Sequence, residues 1–237
     1  MRIDALIHSC DYADMLAITL PINKPSYDSI TVYTKFGDEA TKEVCKVNGV
    51  ECIETHGFTH NGASFNRGRV FNEAFQHIVG EWRVRKRDLG WIETLDADII
   101  KPPGWRVVFE TLPPDIECFY GSRRYDVETQ EQWGRAKVDP EYLKQLVLFR
   151  GYGYSYSAIF NMGSTTFARL WKKTWGNPYM EYRDGSEADW RFRNNFGSYD
   201  WDPPPLPPLY VLDHSIPEPT DPPRGFLRKL PFNVIHI

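Results

Sequence analysis

The sequence predicts an α/β domain built on a mainly parallel sheet with helices on its faces. Three observations predict it. Strand-like and helix-like segments alternate through the first half of the chain, the pattern of successive βα units. The strand-like segments are short apolar runs, as buried strands are. The chain has 237 residues, 41% of them apolar and 25% charged, which suffices for one sizeable core and excludes wholesale disorder.

The elements follow in order. Ile3 to His8 reads as a buried strand. Asp11 to Leu20 has helical spacing through Met15, Ile18 and Leu20, and Pro21 is expected to stop it. Ser29 to Thr34 (SITVYT) is β-branched and aromatic, a second strand. Asp38 to Val47 reads as a helix closed by Gly49, and Val50 to Glu54 as a third strand. Thr59 to Ser64 is a loop, and Arg67 to Val79 a helix through Val70, Phe71, Ala74, Phe75 and Ile78. Trp91 to Ile100 (WIETLDADII) is a fourth strand, closed by Lys101-Pro102-Pro103-Gly104.

The second half is less regular. Phe119 to Ser122 and Tyr152 to Asn161 are strand-like, separated by a polar stretch to about Pro140. Thr165 to Trp175 and Glu187 to Asn195 read as helices. Residues 203–223 hold nine of the eighteen prolines, so they are expected to be extended, with neither regular helix nor central strand. No repeat or linker interrupts the chain, which reads as one domain.

Composition excludes several classes. A formal charge of −4 argues against a bulk polyanion binder. No run approaches the ~20 apolar residues of a membrane helix. Asp4, Asp11 and Asp14 near the N-terminus are wrong for a secretory signal. Cys10, Cys45, Cys52 and Cys118 form neither a CxxC nor a zinc spacing, so they are expected as reduced, mostly buried thiols in a cytoplasmic protein.

The most informative segment is Leu95-Asp96-Ala97-Asp98-Ile99-Ile100. Within a strand, residues i and i+2 share a face, so Asp96 and Asp98 are expected to project together. They stand near the carboxyl end of the strand, where open α/β sheets bind ligands. Paired carboxylates repel unless a cation lies between them, and such hard oxygens suit Mg²⁺ or Mn²⁺, which also take diphosphate oxygens. The bland alternative is two aspartates that simply end a strand, one capping the next turn.

The order of features resembles a GT-A glycosyltransferase, close to the family 2-like enzymes that use nucleotide-sugar donors. The resemblance runs through Ile3–His8, SITVYT with Asp38 beyond it, FNRGRVFNEAF at 65–75, LDADIIKPPGW at 95–105, NMGSTTFARLW at 161–171, GSEADWRFR at 185–193 and VLDH at 211–214. It implies a single Rossmann-like domain over 1–237 with a mixed, mainly parallel sheet. Residues 1–104 would form the nucleotide-sugar half, 105–202 the acceptor half, and 203–237 an extended proline-rich segment. It also implies an Mn²⁺ or Mg²⁺ cofactor and a donor, most simply a UDP-sugar. Asp98 would be the direct metal ligand, Asp96 would meet the ribose or a metal-bound water, and His214 would complete the metal set. A lone histidine is otherwise a packing or surface residue.

An inverting transfer needs a carboxylate to take the proton of the acceptor hydroxyl. Aligned on Trp190 and Arg193, the resemblance gives that role to Asp189. Ala188 departs from the pattern, because family members often carry an acid there. Glu187 therefore stands as the second candidate. Ser186 and Asp189 equally fit a capping box at a helix start. Asn66-Arg67-Gly68 opens a helix, and a helix N-terminus with Gly and Arg attracts phosphate, or is an ordinary cap. The resemblance further implies donor contacts at Asp11 and Asp38.

The acceptor is not fixed by the sequence. Arg83-Val84-Arg85-Lys86-Arg87 and Arg123-Arg124 are either solvated loops or a site for an anionic acceptor. Acceptors in view are a glycan, a small molecule, or DNA carrying hydroxymethylated bases, as in phage-type DNA glycosyltransferases. The aromatics of 151–156, with Trp133, Trp190 and Trp201, could stack on sugars but suit packing equally. A sugar nucleotidyltransferase is the enzymatic rival, though His8-Ser9-Cys10-Asp11-Tyr12 is not its Gly-rich basic loop. A non-catalytic interaction protein presenting Pro204 to Pro208 as a polyproline ligand is the rival from another class.

Overall fold

A computed structural model describes residues 1–63, 65–84, 90–101, 104–111, 118–120, 124–127, 131–132, 134–135, 139, 142, 158–179, 181, 192, 198–200 and 209–212. Its strands are β1 (Ile3–Ser9), β2 (Ser29–Lys35), β3 (Glu51–Thr55), β4 (Trp91–Asp96), β5 (Ile99–Ile100), β6 (Cys118–Tyr120), β7 (Arg124–Val127), β8 (Ala158–Asn161), β9 (Ser198–Asp200) and β10 (Leu209–Leu212). Its helices are α1 (Ala13–Asn23), α2 (Glu39–Val47), α3 (Arg67–Val84), α4 (Trp105–Glu110) and α5 (Thr165–Lys173).

Seven described strands form one sheet in the order β3-β2-β1-β4-β8-β6-β9. The first four run parallel, β8 is antiparallel to β4 and β6, and β9 is parallel to β6. The expected mixed, mainly parallel sheet is what the chain forms. Every residue of β1 is buried, as suits a central parallel strand covered on both sides.

Strand alternation divides the core. Ile3, Ala5, Ile7, Trp91 and Leu95 pack with Leu16 and Leu20 of α1, Cys45 of α2 and Trp105 and Phe109 of α4. Leu6 and Ile92 face the other way, against Val70, Phe71 and Phe75 of α3 and Phe167 and Leu170 of α5. Helices therefore cover both faces.

Several expectations change. α1 runs through Pro21 to Asn23 and continues as a 3-10 turn, Lys24–Ser26. Pro21 removes one N–H on an exposed face, while Asn23 beyond it is fixed by bonds to Ile99 and Lys101. The loop expected over Thr59 to Ser64 overlaps a 3-10 segment, Gly57–Gly62, kinked at His60 and Asn61, and α3 extends into the basic run as far as Val84. The polar stretch before Pro140 contains β7. The proline-rich segment contains β10, which lies between β5 and β7 in a three-stranded sheet. Leu209 to Leu212 is free of proline, so it keeps every N–H that a central strand needs. Cys10, Cys45 and Cys52 are free thiols, but only Cys45 of these is buried; Cys10 and Cys52 are half-buried. No described helix is long and apolar enough to cross a membrane.

Candidate functional site

The fourth strand is not one strand. β4 ends at Asp96, the chain turns at Ala97 and Asp98, and Ile99–Ile100 joins β10 in the second sheet. The alternation that was to put Asp96 and Asp98 on one strand face therefore does not apply across the turn. Asp and Ala favour strands poorly. The apolar run continues only because β5 is as buried as β4. Both aspartates nevertheless sit in one turn, at the carboxyl edge of the parallel strands.

Asp96 lies beside His8 in the β1–β4 register. Its Oδ1 is 3.0 Å from His8 Nε2 and 2.9 Å from Arg67 Nη2. Arg67 is the first residue of α3 and only 5% exposed, so its charge meets a carboxylate with little water to screen it. Phe71 backs the pair: its ring is 5.2 Å from the guanidinium carbon and edge-on to His8 at 5.3 Å. Asp98 is buried within the turn. Asn66 caps α3, accepting the Arg69 amide at 2.9 Å on its side-chain oxygen. Asn66, Arg67 and Gly68 are all buried.

Asp11 and Asp38 form a second cluster at the ends of β1 and β2. Asp11 adopts φ +63°, a left-handed conformation that Asp tolerates better than most residues. Its amide donates to Asp38 Oδ2 at 3.2 Å, and its exposed carboxylate takes Lys35 Nζ at 2.6 Å. Asp38 is buried and caps α2, accepting the Thr41 amide at 3.1 Å and the hydroxyls of Thr41 and Thr34 at 2.8 and 2.9 Å. Burial pushes its carboxyl up, but these donors outweigh burial and hold it below the ordinary aspartate value. The unfolded chain therefore binds a proton more readily, and Asp38 contributes stability above the unfolded pKa of ~3.9 that is lost as pH falls through its folded value. In melts from about pH 7 down to about pH 2, the advantage of wild type over Asp38→Asn is expected to vanish at the acid end. Parallel curves would refute this.

Two supports escaped the sequence. Beneath the turn, Lys101 and Glu93 form a buried ion pair. Tyr27 donates to Glu93 at 2.7 Å, and Lys101 Nζ stands 4.1 Å from the Trp105 ring centroid. Burial lowers the Lys101 pKa, while burial and then Glu93 raise that of Tyr27. Along α3, Asn72 clamps Tyr179 through two hydrogen bonds of 2.8 and 2.9 Å, and Gln76 donates to the Gly176 carbonyl at 3.1 Å. Arg69 Nη1 and His60 Nδ1 flank Glu181 at 3.5 and 3.6 Å. A lysine after an apolar strand and amides at helical spacing are the faint signals these leave in sequence.

Glu187, Asp189 and His214 lie outside the described residues, as do residues 85–87, 151–156 and 203–208. Among the described residues no group of three His, Cys, Asp or Glu could hold a metal. The turn itself offers two hard carboxylates, the donor chemistry that suits Mg²⁺ or Mn²⁺.

No family model matches the chain, and no curated protein matches it by sequence. Solved structures do match. 4-Diphosphocytidyl-2C-methyl-D-erythritol synthase superposes with a TM-score of 0.50 at 13% identity, covering 85% of this chain and 88% of its own. The chain has the GT-A fold. A cytidylyltransferase from Leptospira borgpetersenii matches at TM-score 0.45 and 12% identity, over 88% of this chain and 79% of that one. Glucosyl-3-phosphoglycerate synthase from Mycobacterium tuberculosis, in complex with Mn²⁺, UDP and glucosyl-3-phosphoglycerate, matches at TM-score 0.42 and 9% identity, over 90% and 73%. In the GT-A fold of this chain the clusters around Asp96 and Asp38 stand side by side, on the carboxyl ends of β4, β1 and β2.

Proposed function

We propose that this chain is a metal-dependent glycosyltransferase that moves a sugar from a nucleoside-diphosphate sugar, UDP-linked in the simplest case, to an acceptor hydroxyl. The reaction is inverting in this reading. The observation that carries it is the pair of carboxylates, Asp96 and Asp98, in one turn at the carboxyl edge of the sheet, next to the end of β1.

Asp98 and His214 would hold the cation, with Asp96 beside them. When bound, the cation supplies positive charge to the departing nucleoside diphosphate. Arg67 and His8 keep the Asp96 carboxylate oriented toward the donor. Arg67, at the head of α3 with Asn66 and Gly68, adds a positive field for the diphosphate. Asp38 acts indirectly, by fixing the backbone of the Asp11 loop against which the nucleoside rests. Asp189 takes the proton from the acceptor hydroxyl as that oxygen attacks the anomeric carbon, with Glu187, two residues before it, as the second candidate. The acceptor half, 105–202, would present a glycan, a small molecule or hydroxymethylated DNA.

The test is a thermal-shift screen of nucleoside diphosphates and nucleotide sugars, with and without Mn²⁺. A ligand that binds only the folded state raises the midpoint, by roughly 2.7 kcal/mol of stability at a hundred times its Kd. One nucleotide class is expected to stabilise the protein only with metal, and Asp98→Asn is expected to lose that dependence. Equal stabilisation of Asp98→Asn would remove Asp98 from the metal site. Released products then separate the two transfer chemistries. Nucleoside diphosphate marks glycosyl transfer, and pyrophosphate marks nucleotidyl transfer.

A further inference from the structure

The turn that carries Asp98 is gripped from behind by α1. Thr19 Oγ1 donates to the Ala97 carbonyl at 2.6 Å, and Asn23 Nδ2 donates to the Ile99 carbonyl at 2.7 Å. The Lys101 amide donates back to Asn23 Oδ1 at 2.8 Å. Thr19 and Asn23 are four residues apart, so they lie on one face of the helix, and they are 1% and 0% exposed. The carbonyls they hold belong to the residues on either side of Asp98.

This grip answers a structural need. Leaving β4 at Asp96 takes Ala97 and Asp98 out of any sheet ladder and moves Ile99 to the second sheet, and buried backbone groups require partners. β5 is only two residues long and pairs in another sheet, so strand pairing alone fixes the turn weakly. α1 supplies polar side chains at the two carbonyls that flank the carboxylate.

We infer that Thr19 and Asn23 are positioning residues, which set the placement of the Asp98 carboxylate for a cation–diphosphate donor. The ligand in this statement rests on the glycosyltransferase reading; the grip on the turn does not. Neither residue meets the donor. They act through the backbone, as the outer partners of metal ligands do, whose loss typically weakens metal affinity 10- to 100-fold.

The experiment uses two variants of the full chain that separate hydrogen bonding from packing. Thr19→Val keeps the shape and loses the hydroxyl, while Thr19→Ser keeps the hydroxyl and loses the methyl. Calorimetric titration with UDP in the presence of Mn²⁺ is run beside amide hydrogen exchange across 97–101. Thr19→Val is expected to bind Mn²⁺–UDP about tenfold or more weakly and to exchange faster across the turn, with Thr19→Ser close to wild type. Wild-type affinity in Thr19→Val, or an equal loss in Thr19→Ser, overturns the positioning role. If wild type itself fails to bind Mn²⁺–UDP, exchange still separates the two ideas. Faster exchange in Thr19→Val alone supports the grip and overturns the UDP donor reading; equal exchange in both variants overturns the grip.

Discussion

Asp189→Asn is expected to slow sugar transfer by about 10²- to 10⁴-fold while leaving nucleotide binding intact. The carboxamide has nearly the size and polarity of the carboxylate, but it cannot accept the proton of the attacking hydroxyl. A general base acts only in the chemical step, so the loss should fall on kcat rather than on donor affinity. Single-turnover transfer and a thermal shift with donor and Mn²⁺, measured on the same variant, check both halves. A near-normal rate would move the base to Glu187, and Glu187→Gln would then carry the loss. Failure of both variants to slow transfer would remove the inverting base from this segment.

The largest effect on stability is expected from Lys101→Met. Lys101 and Glu93 are 2% and 0% exposed, and the pair is closed by Tyr27 and Trp105. Removing the ammonium leaves the Glu93 carboxylate in the core, beside the Tyr27 hydroxyl, without its paired cation. Breaking a buried pair in this way costs about 3–5 kcal/mol. For a domain of this size that corresponds to a fall of roughly 6–20 °C in the melting midpoint. Replacing both charges, Glu93→Leu with Lys101→Met, is expected to recover most of the loss, because no uncompensated charge remains. Urea unfolding of the two proteins is the check. A single variant as stable as wild type would mean that the pair contributes nothing.

Much of the fold was legible because burial writes itself into periodicity. β1, β2, α2 and α3 follow from apolar runs and helical spacing, and Asp38 at the head of α2 is a residue type that caps helices. Where reading failed, the deciding contacts were distant in sequence. The break after Asp96 is invisible, since Leu95 and Ile99 are both buried, each in a different sheet. Pro21 signals a helix end locally through its missing N–H, whereas α1 is held as far as Asn23 by residues 76 and 78 positions away. β7 and β10 are recognisable only once each has the other for a partner.

The site divides in the same way. The aspartates, Arg67 and Asn66 are legible by residue type and order. That Arg67 and His8 converge on one oxygen of Asp96 depends on strand register and on the entry of α3, which no local pattern records. Polar side chains on α1 and α3 carry the support, and in sequence they look like ordinary solvent-facing residues.

The place of β4, between parallel β1 and antiparallel β8, has a consequence for biosynthesis. A ribosome that has made the first hundred residues has delivered β4 and the apolar stripe of α3, but neither β8 nor α5, which border and cover them. During translation of the next sixty or so residues, the nascent chain carries an open strand edge and an uncovered pair of phenylalanines, Phe71 and Phe75. Such edges recruit other chains. The yield of folded protein is thus expected to depend on how quickly residues 158–173 arrive, or on what shields β4 until they do.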